Sequence, residues 1–516
     1  MTLTPFCTIR IHSHYFTVTD PNETIKRIIF RYTHQYVSME WTKVPGKRNP
    51  VLKPSKVFAS KSHDNREFRF IIGQLDGLLE MFAVNDITPD LYCVVIADVP
   101  VGVSCNINLN PAWVLKDYQL TVKDFILEDI ANDYHSRLVA MPTGTGKTVT
   151  SLAAIAEIKQ RTAIVILLKF SEKWCSDISE ILDVKPAEIM MVQGTRQLKG
   201  LIDLAKDDLL DSKFIILTIS TLQNFYKAYE SGEDVTDPDN YNCSPDDLFN
   251  VLGVGTVIID ETHCHMHAVF KTILYTHVNK LIALSATFIS EDPLVQRMQR
   301  LMFPKEVRFD SIKMEKYIKV FPISYHISKE LLPGVRHAEY GSNVYSHNAF
   351  EVSILKNPKL LTKYLDLIAH LVTIGYLDDY LPGDKLAVFA YRTDLCDHIT
   401  RHLINLCPHL DVRRYVKEDP YENAIEPDIR VSTILSLGTA IDIPNLRTVV
   451  MTTNVSSEIS NRQTLGRLRK LKDRDVKFYY LYCTDVKKQV EYHAKKLDMF
   501  RGSVASISSL VSPINL

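Results

Sequence analysis

Four apolar residues, Leu138-Val139-Ala140-Met141, run directly into Pro142-Thr143-Gly144-Thr145-Gly146-Lys147-Thr148, and a helical pattern follows over residues 149–159. A buried strand, a glycine-bearing loop and a helix in that order form the phosphate-binding loop of an α/β domain with a parallel sheet. Gly144 and Gly146 let backbone N–H groups curl around phosphate oxygens, with Thr143 and Thr145 between and beside them. Lys147 reaches the β and γ phosphates as a point charge, Thr148 offers a hydroxyl to Mg²⁺, and the helix N-terminus adds its dipole. Met141 stands where the general pattern has its first glycine.

A loop of this kind needs a metal partner at the end of another strand, and Val257-Ile258-Ile259-Asp260-Glu261-Thr262-His263 supplies one. Asp260 is placed to hold Mg²⁺ through water, and Glu261 to orient and deprotonate an attacking water. Other apolar runs, at residues 163–168, 214–217 and 281–284, alternate with helical patterns and extend the same βαβ domain. A second α/β set follows a helical stretch at 352–377, with runs at 386–390, 449–451 and 478–481.

The expected fold class is therefore α/β: two RecA-like parallel-sheet domains in tandem behind a small β-rich domain, whose alternating pattern shows at Cys7-Thr8-Ile9-Arg10-Ile11 and Phe68-Arg69-Phe70-Ile71-Ile72. The expected boundaries are 1–105 for an N-terminal accessory domain, 106–310 for the first RecA-like domain, 311–350 for a linker carrying Pro333-Gly334, 351–500 for the second, and 501–516 for a frayed tail. Residues 232–247, rich in Asp, Asn and Pro, read as an exposed acidic loop.

At 516 residues, 46% hydrophobic and 23% charged, the chain has the composition of a globular protein of two or three domains. No run approaches bilayer length and the start lacks a secretion pattern, so a cytoplasmic protein is expected, in the host cytoplasm if phage-encoded, with no membrane partner. The nine cysteines form no C-x-x-C pair and read as reduced thiols. The net charge of −1 gives no whole-molecule hint of nucleic acid.

The two elements resemble motifs I and II of superfamily 2 helicases and translocases, and the other motifs of that family follow in order over residues 115–470. Leu115-Lys116-Asp117-Tyr118-Gln119 is similar to the Q motif, which implies that Gln119 bonds the adenine edge and Tyr118 packs nearby. Ser285-Ala286-Thr287 resembles motif III. Gly438-Thr439-Ala440-Ile441-Asp442-Ile443-Pro444 resembles motif V, implying nucleotide contacts from Gly438 and Asp442. Gln463-Thr464-Leu465-Gly466-Arg467-Leu468-Arg469-Lys470 resembles motif VI. That resemblance implies catalytic roles for Gln463, Arg467 and Lys470, with Arg467 an arginine finger that acts when the two domains close. Either Arg469 or Lys470 fills the second finger position, and the two are not equivalent at a bidentate site. Residues 166–174 with Trp174, the Asp-Glu-Thr-His box and the Gly-Arg-Leu-Arg ending look most like the UvsW-type phage recombination helicases, beside XPB-type proteins and Swi/Snf translocases.

The same resemblance implies a grip on one strand's phosphates by Lys169, Ser171, Gly194, Thr195, Ser220 and Thr221 in the first domain and by Tyr391, Arg392, Ser432, Thr433 and Thr439 in the second. Hydroxyls at strand ends also cap helices, and Trp174 reads as a buried helix-face residue rather than a base-stacking one. His263-Cys264-His265-Met266-His267 lacks zinc-ligand spacing; His263 is expected to link motif II to Gln463. The implied activity is an ATP- and Mg²⁺-dependent DNA helicase or translocase, a monomer, working on single-stranded, forked or branched DNA in recombination, repair or at stalled forks. The alternatives are an RNA helicase or transcript-release ATPase, and a non-enzymatic ATP-binding scaffold, whose mark would be loss of Lys147, Glu261 or Arg467.

Overall fold

The computed structural model describes residues 5–42, 51–128, 135–142, 144–263, 265–286, 290, 292–309, 316–338, 344–416, 419–437, 443–454, 461 and 464–516. The chain divides into two compact units, Met1–Ile312 and Lys313–Leu516.

In the first unit, seven parallel strands lie in the order Ile189–Val192, Phe214–Thr218, Thr162–Ile166, Thr256–Ile259, Lys280–Ser285, Ser136–Ala140 and Arg308–Phe309. Phe214–Thr218, Thr162–Ile166, Thr256–Ile259 and Ser136–Ala140 are buried throughout, which is why they read as unbroken apolar runs rather than alternations. The N-terminal domain is a five-stranded mixed sheet, Ser60–Lys61, Glu67–Ile71, Tyr15–Thr19, Thr8–Ile11 and Cys93–Ile96, with helices Glu23–His34 and Leu75–Val84. Its core is continuous with that of the seven-stranded sheet.

The segment 232–247 is exposed over most of residues 232–240, as expected, but is anchored at several points. It packs Val235, Tyr241 and Cys243 inward, and its Asp246 carboxylate accepts from Tyr15 Oη at 2.7 Å and from both terminal nitrogens of the buried Arg69. Arg69 itself lies 4.6 Å from the Tyr275 ring. Through Asp246 the segment clamps onto the N-terminal domain, while Glu233, Asp234, Asp237, Asp239 and Asp247 stay exposed to solvent.

The second unit is an eight-stranded parallel sheet, Val412–Tyr415, Ile429–Thr433, Lys385–Ala390, Leu446–Met451, Val476–Cys483, Ile318–Tyr325 and Ser506–Ile507 in order, with Leu510–Val511 also on Ile318–Tyr325. Two expectations are corrected here. Residues 318–325, read as linker, form a full strand, and residues 501–516, read as a frayed tail, supply two short strands and end on a buried Leu516. The strand contains Pro322, which cannot donate to a ladder. The carbonyls of Ile318, Val320 and Ser324 accept from Ala505, Ser508 and Ser512. Pro322 shares their phase and falls where pairing passes from one tail strand to the next.

Helix Pro358–Gly375 belongs to the one segment, Pro358–Asp379, that among the described residues is long and apolar enough to cross a membrane, a length the sequence reading had not credited. Its Leu360, Tyr364, Leu367, Ile368, Leu371 and Val372 are buried in the core of the second unit.

Candidate ATP site and strand-contact residues

The phosphate loop leaves the strand Ser136–Ala140 and enters helix Lys147–Ile158 through Gly146, whose φ of 85° lies in the left-handed region open to glycine. A Cβ there would also come within 2.3 Å of Gln119 Nε2. Gln119 is buried: its Oε1 accepts from Lys116 N at 2.9 Å and its Nε2 donates to Thr145 O at 3.1 Å, while Tyr118 Oη donates to the same carbonyl at 2.9 Å. Both residues expected to read the base therefore also buttress the loop. Thr145 turns its hydroxyl to Pro142 O at 2.8 Å, and Lys147 Nζ donates to Met141 O at 2.9 Å. Met141 N in turn donates to Ser285 O at 3.0 Å, tying the loop to the end of the Lys280–Ser285 strand.

Across the sheet, Asp260 follows the strand Thr256–Ile259. Its Oδ2 accepts from Trp174 Nε1 at 3.0 Å and its Oδ1 from Glu261 N at 2.8 Å. Burial and the adjoining Glu261 carboxylate raise its pKa against the opposing pull of Lys147 and the indole N–H. Glu261 has a φ of 51°, a left-handed conformation uncommon for a non-glycine residue. His263 Nδ1 lies 3.1 Å from Ser285 Oγ and 3.3 Å from Glu261 Oε2. Burial, with Lys147 adding to it, pushes the imidazole down to about 4, so at neutral pH it is uncharged and binds as a hydrogen-bonding group.

Trp174 is buried, as expected. Its tie to Asp260 was not legible in the sequence. The spacing from a strand-end helix to a motif II carboxylate is a tertiary relation that no local pattern carries.

The strand-contact candidates divide by what their side chains already do. In the first unit, Lys169, Ser171, Gly194, Thr195, Ser220 and Thr221 sit beyond the ends of three neighbouring strands, and Gly194 N donates to Thr221 Oγ1 at 2.7 Å. Lys169, Thr195 and Ser220 are exposed. Ser171 and Thr221 are buried; Ser171 Oγ donates to Leu168 O at 2.6 Å, and Thr221 Oγ1 is 2.6 Å from Thr218 Oγ1. In the second unit Ser432 Oγ donates to Tyr415 O at 2.5 Å, and Thr433 Oγ1 bonds Ser436 Oγ at 2.9 Å and accepts from Ser436 N; both residues are buried. The hydroxyls of Ser171, Thr221, Ser432 and Thr433 thus already make hydrogen bonds within the fold.

Tyr391 is 47% exposed. Its backbone N–H and that of Arg392 donate to the fully buried Glu351 carboxylate at 2.9 and 2.8 Å. Glu351 shapes that strand end, and the sequence reading missed it because an acid within a helical run looks like a solvated face. The Arg392 guanidinium is bound to Asp394 and Asn348. Arg467 is 6% exposed, Lys470 is exposed, and Arg469 turns a guanidinium nitrogen onto Gly466 O. Thr143, Thr287, Gly438, Thr439, Asp442 and Gln463 lie outside the described residues.

Two RecA-like parallel sheets in tandem, with a phosphate loop and an Asp-Glu strand end on the first, make a nucleotide-binding fold of the kind that helicases use. Among particular proteins, residues 113–290 match the family model described as Type III restriction enzyme, res subunit. The chain is 23% identical over 207 residues to the general transcription and DNA repair factor IIH helicase/translocase subunit XPB of Encephalitozoon cuniculi, covering 39% of this chain and 27% of that one. It is 23% identical over 331 residues to the DNA repair helicase/translocase XPB-R of Trypanosoma brucei brucei, covering 57% and 40%. This chain thus spans well under half the length of either relative. A solved structure, the Hef helicase domain of Pyrococcus furiosus, is 14% identical, covers 74% of this chain and 98% of that one, and has a TM-score of 0.46.

Proposed function

We propose that this chain is a nucleic-acid-stimulated ATPase that translocates on DNA and unwinds or branch-migrates recombination, repair or stalled-fork intermediates. The observation that supports it most is the convergence of Lys147, Asp260, Glu261 and the His263–Ser285 contact on one end of one parallel sheet. DNA is favoured by the names of the relatives, both DNA repair helicase/translocases. The recombination task rests on the likeness of residues 166–174 and 463–470 to UvsW-type helicases.

The site fits a nucleoside triphosphate with a divalent cation. Gly144 and Gly146, both at positive φ, expose backbone N–H groups at a helix N-terminus, and Asp260 is a carboxylate whose ionisation is opposed by burial and by Glu261, a cost that a cation relieves. Mg²⁺, held by Thr148 and Asp260, would neutralise charge on the β and γ phosphates. Lys147 binds the phosphates. Glu261 takes the proton of the attacking water, and neutral His263, hydrogen-bonded to Ser285 Oγ, lies 3.3 Å from its Oε2. Arg467 serves as arginine finger, with Gln463 and Lys470 beside it in the motif.

Steady-state ATPase of the full chain with single-stranded, duplex and branched DNA and with RNA tests this reading. Stimulation by DNA and displacement on a synthetic junction support it; stimulation by RNA alone moves the chain to transcript unwinding, and ATP binding without turnover makes it a scaffold. Arg467→Ala is expected to keep ATP affinity and lower turnover about 10³-fold.

A further inference from the structure

From Lys26 to Lys61 the sequence holds nine lysines and arginines against one acid, Glu40, in a chain whose net charge is −1. Such a field disappears from bulk composition yet acts locally, over a Debye length of about 8 Å. Two elements carry its described part. Helix Glu23–His34 turns Arg27 and Arg31, one turn apart, to solvent beside Phe30, which is 45% exposed. The antiparallel ribbon Val37–Thr42/Val51–Val57 forms its own two-stranded sheet outside the five-stranded one. Its register sets Lys53 opposite Glu40 and Lys56 opposite Ser38 on one face, and Met39 opposite Pro54 on the other. Residues 52–57 are exposed throughout.

Helix and ribbon meet at a recess of about 480 Å³ lined by Phe30, Val57 and Lys61 together with Glu230 and Lys271 of the motor. The ribbon's root is fixed to the motor: His267 Nε2 lies 3.1 Å from Val57 O, and Phe58 packs edge-on to the rings of His267 and Phe270 at 5.4 and 5.1 Å. The helix that bears them, Met266–Ile273, follows directly on the Asp260–Glu261 strand end.

We propose that the ribbon and this helix face form a docking surface for duplex DNA, distinct from the single-strand contacts at the RecA-like strand ends. The proposal rests on the nucleic-acid reading above and names the surface that takes the unopened duplex. A two-stranded ribbon enters the B-form major groove, about 12 Å wide, whereas the A-form groove of RNA is too deep and narrow for side chains to read. Lysine and arginine contacts to phosphate then supply affinity through counterion release. Because the ribbon is rooted on the helix after motif II, a docked duplex pulls on the element next to the water-activating carboxylate.

Full-length Lys53→Glu/Lys56→Glu and, separately, Arg27→Glu/Arg31→Glu are compared with wild type. The readouts are anisotropy binding of a blunt DNA duplex of about 25 base pairs, the RNA duplex of the same sequence and a single-stranded DNA, and ATPase stimulated by that single strand. Each pair of reversals is expected to lower blunt-duplex affinity at least about tenfold near 0.1 M salt and to flatten the log–log salt slope by about 2. Single-strand-stimulated ATPase is expected to stay at the wild-type rate, and Lys53→Arg/Lys56→Arg to keep duplex affinity. Unchanged duplex affinity in both variants, an equal loss with single strands, or tighter binding of the RNA duplex overturns the proposal. A wild type without nucleic-acid-stimulated turnover overturns the proposed function instead, while the duplex affinities still decide the surface.

Discussion

Asp246 and Asp260 lie in the same unit, both partly exposed, and their surroundings move them in opposite directions. Burial alone would raise Asp246, but the Arg69 guanidinium and Tyr15 hydroxyl outweigh it and hold the carboxyl below its usual range. Asp260 meets an indole N–H, a backbone N–H and a nearby lysine, and burial with Glu261 keeps it above that range. A carboxylate supplied with its own arginine is architecture. One left costly to ionise at the end of a motor strand is suited to receive a cation from outside.

Exchanging the two residues' consequences is the way to break that contrast. Asp260→Asn should lower ATP turnover by about a hundredfold or more and leave the thermal unfolding midpoint close to wild type. Arg69→Ala should do the reverse: leaving the half-buried Asp246 carboxylate without its guanidinium costs roughly 1–3 kcal/mol, read as an earlier denaturant midpoint of the first unit, with ATP turnover at low temperature preserved. A variant of Asp260 that destabilises as much as Arg69→Ala would put both aspartates in the same structural category.

Smaller effects sharpen the comparison. Trp174→Phe keeps the ring and deletes the N–H on Asp260, a hydrogen bond to a charged group worth roughly 1.5 kcal/mol. The Mg²⁺ concentration for half-maximal ATPase should therefore rise about tenfold, with ATP affinity in the absence of metal unchanged; an unaltered metal requirement would make the bond incidental.

The smallest effect is a pH dependence at the N-terminal seam, where Ser13 N and Oγ meet His277 Nδ1 at 3.2 and 3.0 Å and His14 Nδ1 is 2.9 Å from Ser136 Oγ. Burial pushes His12 down to about 4, and also lowers His14 and His277. The unfolded chain takes up these protons first, so stability is full above pH 6.5 and declines as pH falls from there toward about 4. Asp246 acts the same way in a lower window, its contribution present above the unfolded carboxylate value and lost as pH falls through its depressed one. Thermal midpoints of the full chain should drop by a few degrees between about pH 7 and pH 5.

What the sequence made legible was whatever it stores locally. The strand, loop and helix around Lys147 and the buried strand before Asp260 each occupy one short window, and the structure holds them as read. Residues 318–325 were hidden because their strand partners, residues 476–483 and two tail segments nearly 190 residues on, lie far along the chain. Asp246 looked solvated like its acidic neighbours because its partner is Arg69, 177 residues earlier. The internal hydrogen bonds of the Ser432 and Thr433 hydroxyls were not legible because their partners, Tyr415 O and Ser436, belong to a neighbouring strand and a following short helix. The basic stretch from Lys26 to Lys61 was masked by acids elsewhere, since a net charge sums over surfaces that a ligand never sees together.

The most direct measurement is ATP turnover by the full chain with and without DNA, in wild type and in Lys147→Ala. DNA should raise the wild-type rate severalfold or more, and the variant should show no turnover in either condition. A Lys147→Ala protein that hydrolyses ATP at the wild-type rate would contradict a phosphate site at this loop and, with it, the motor.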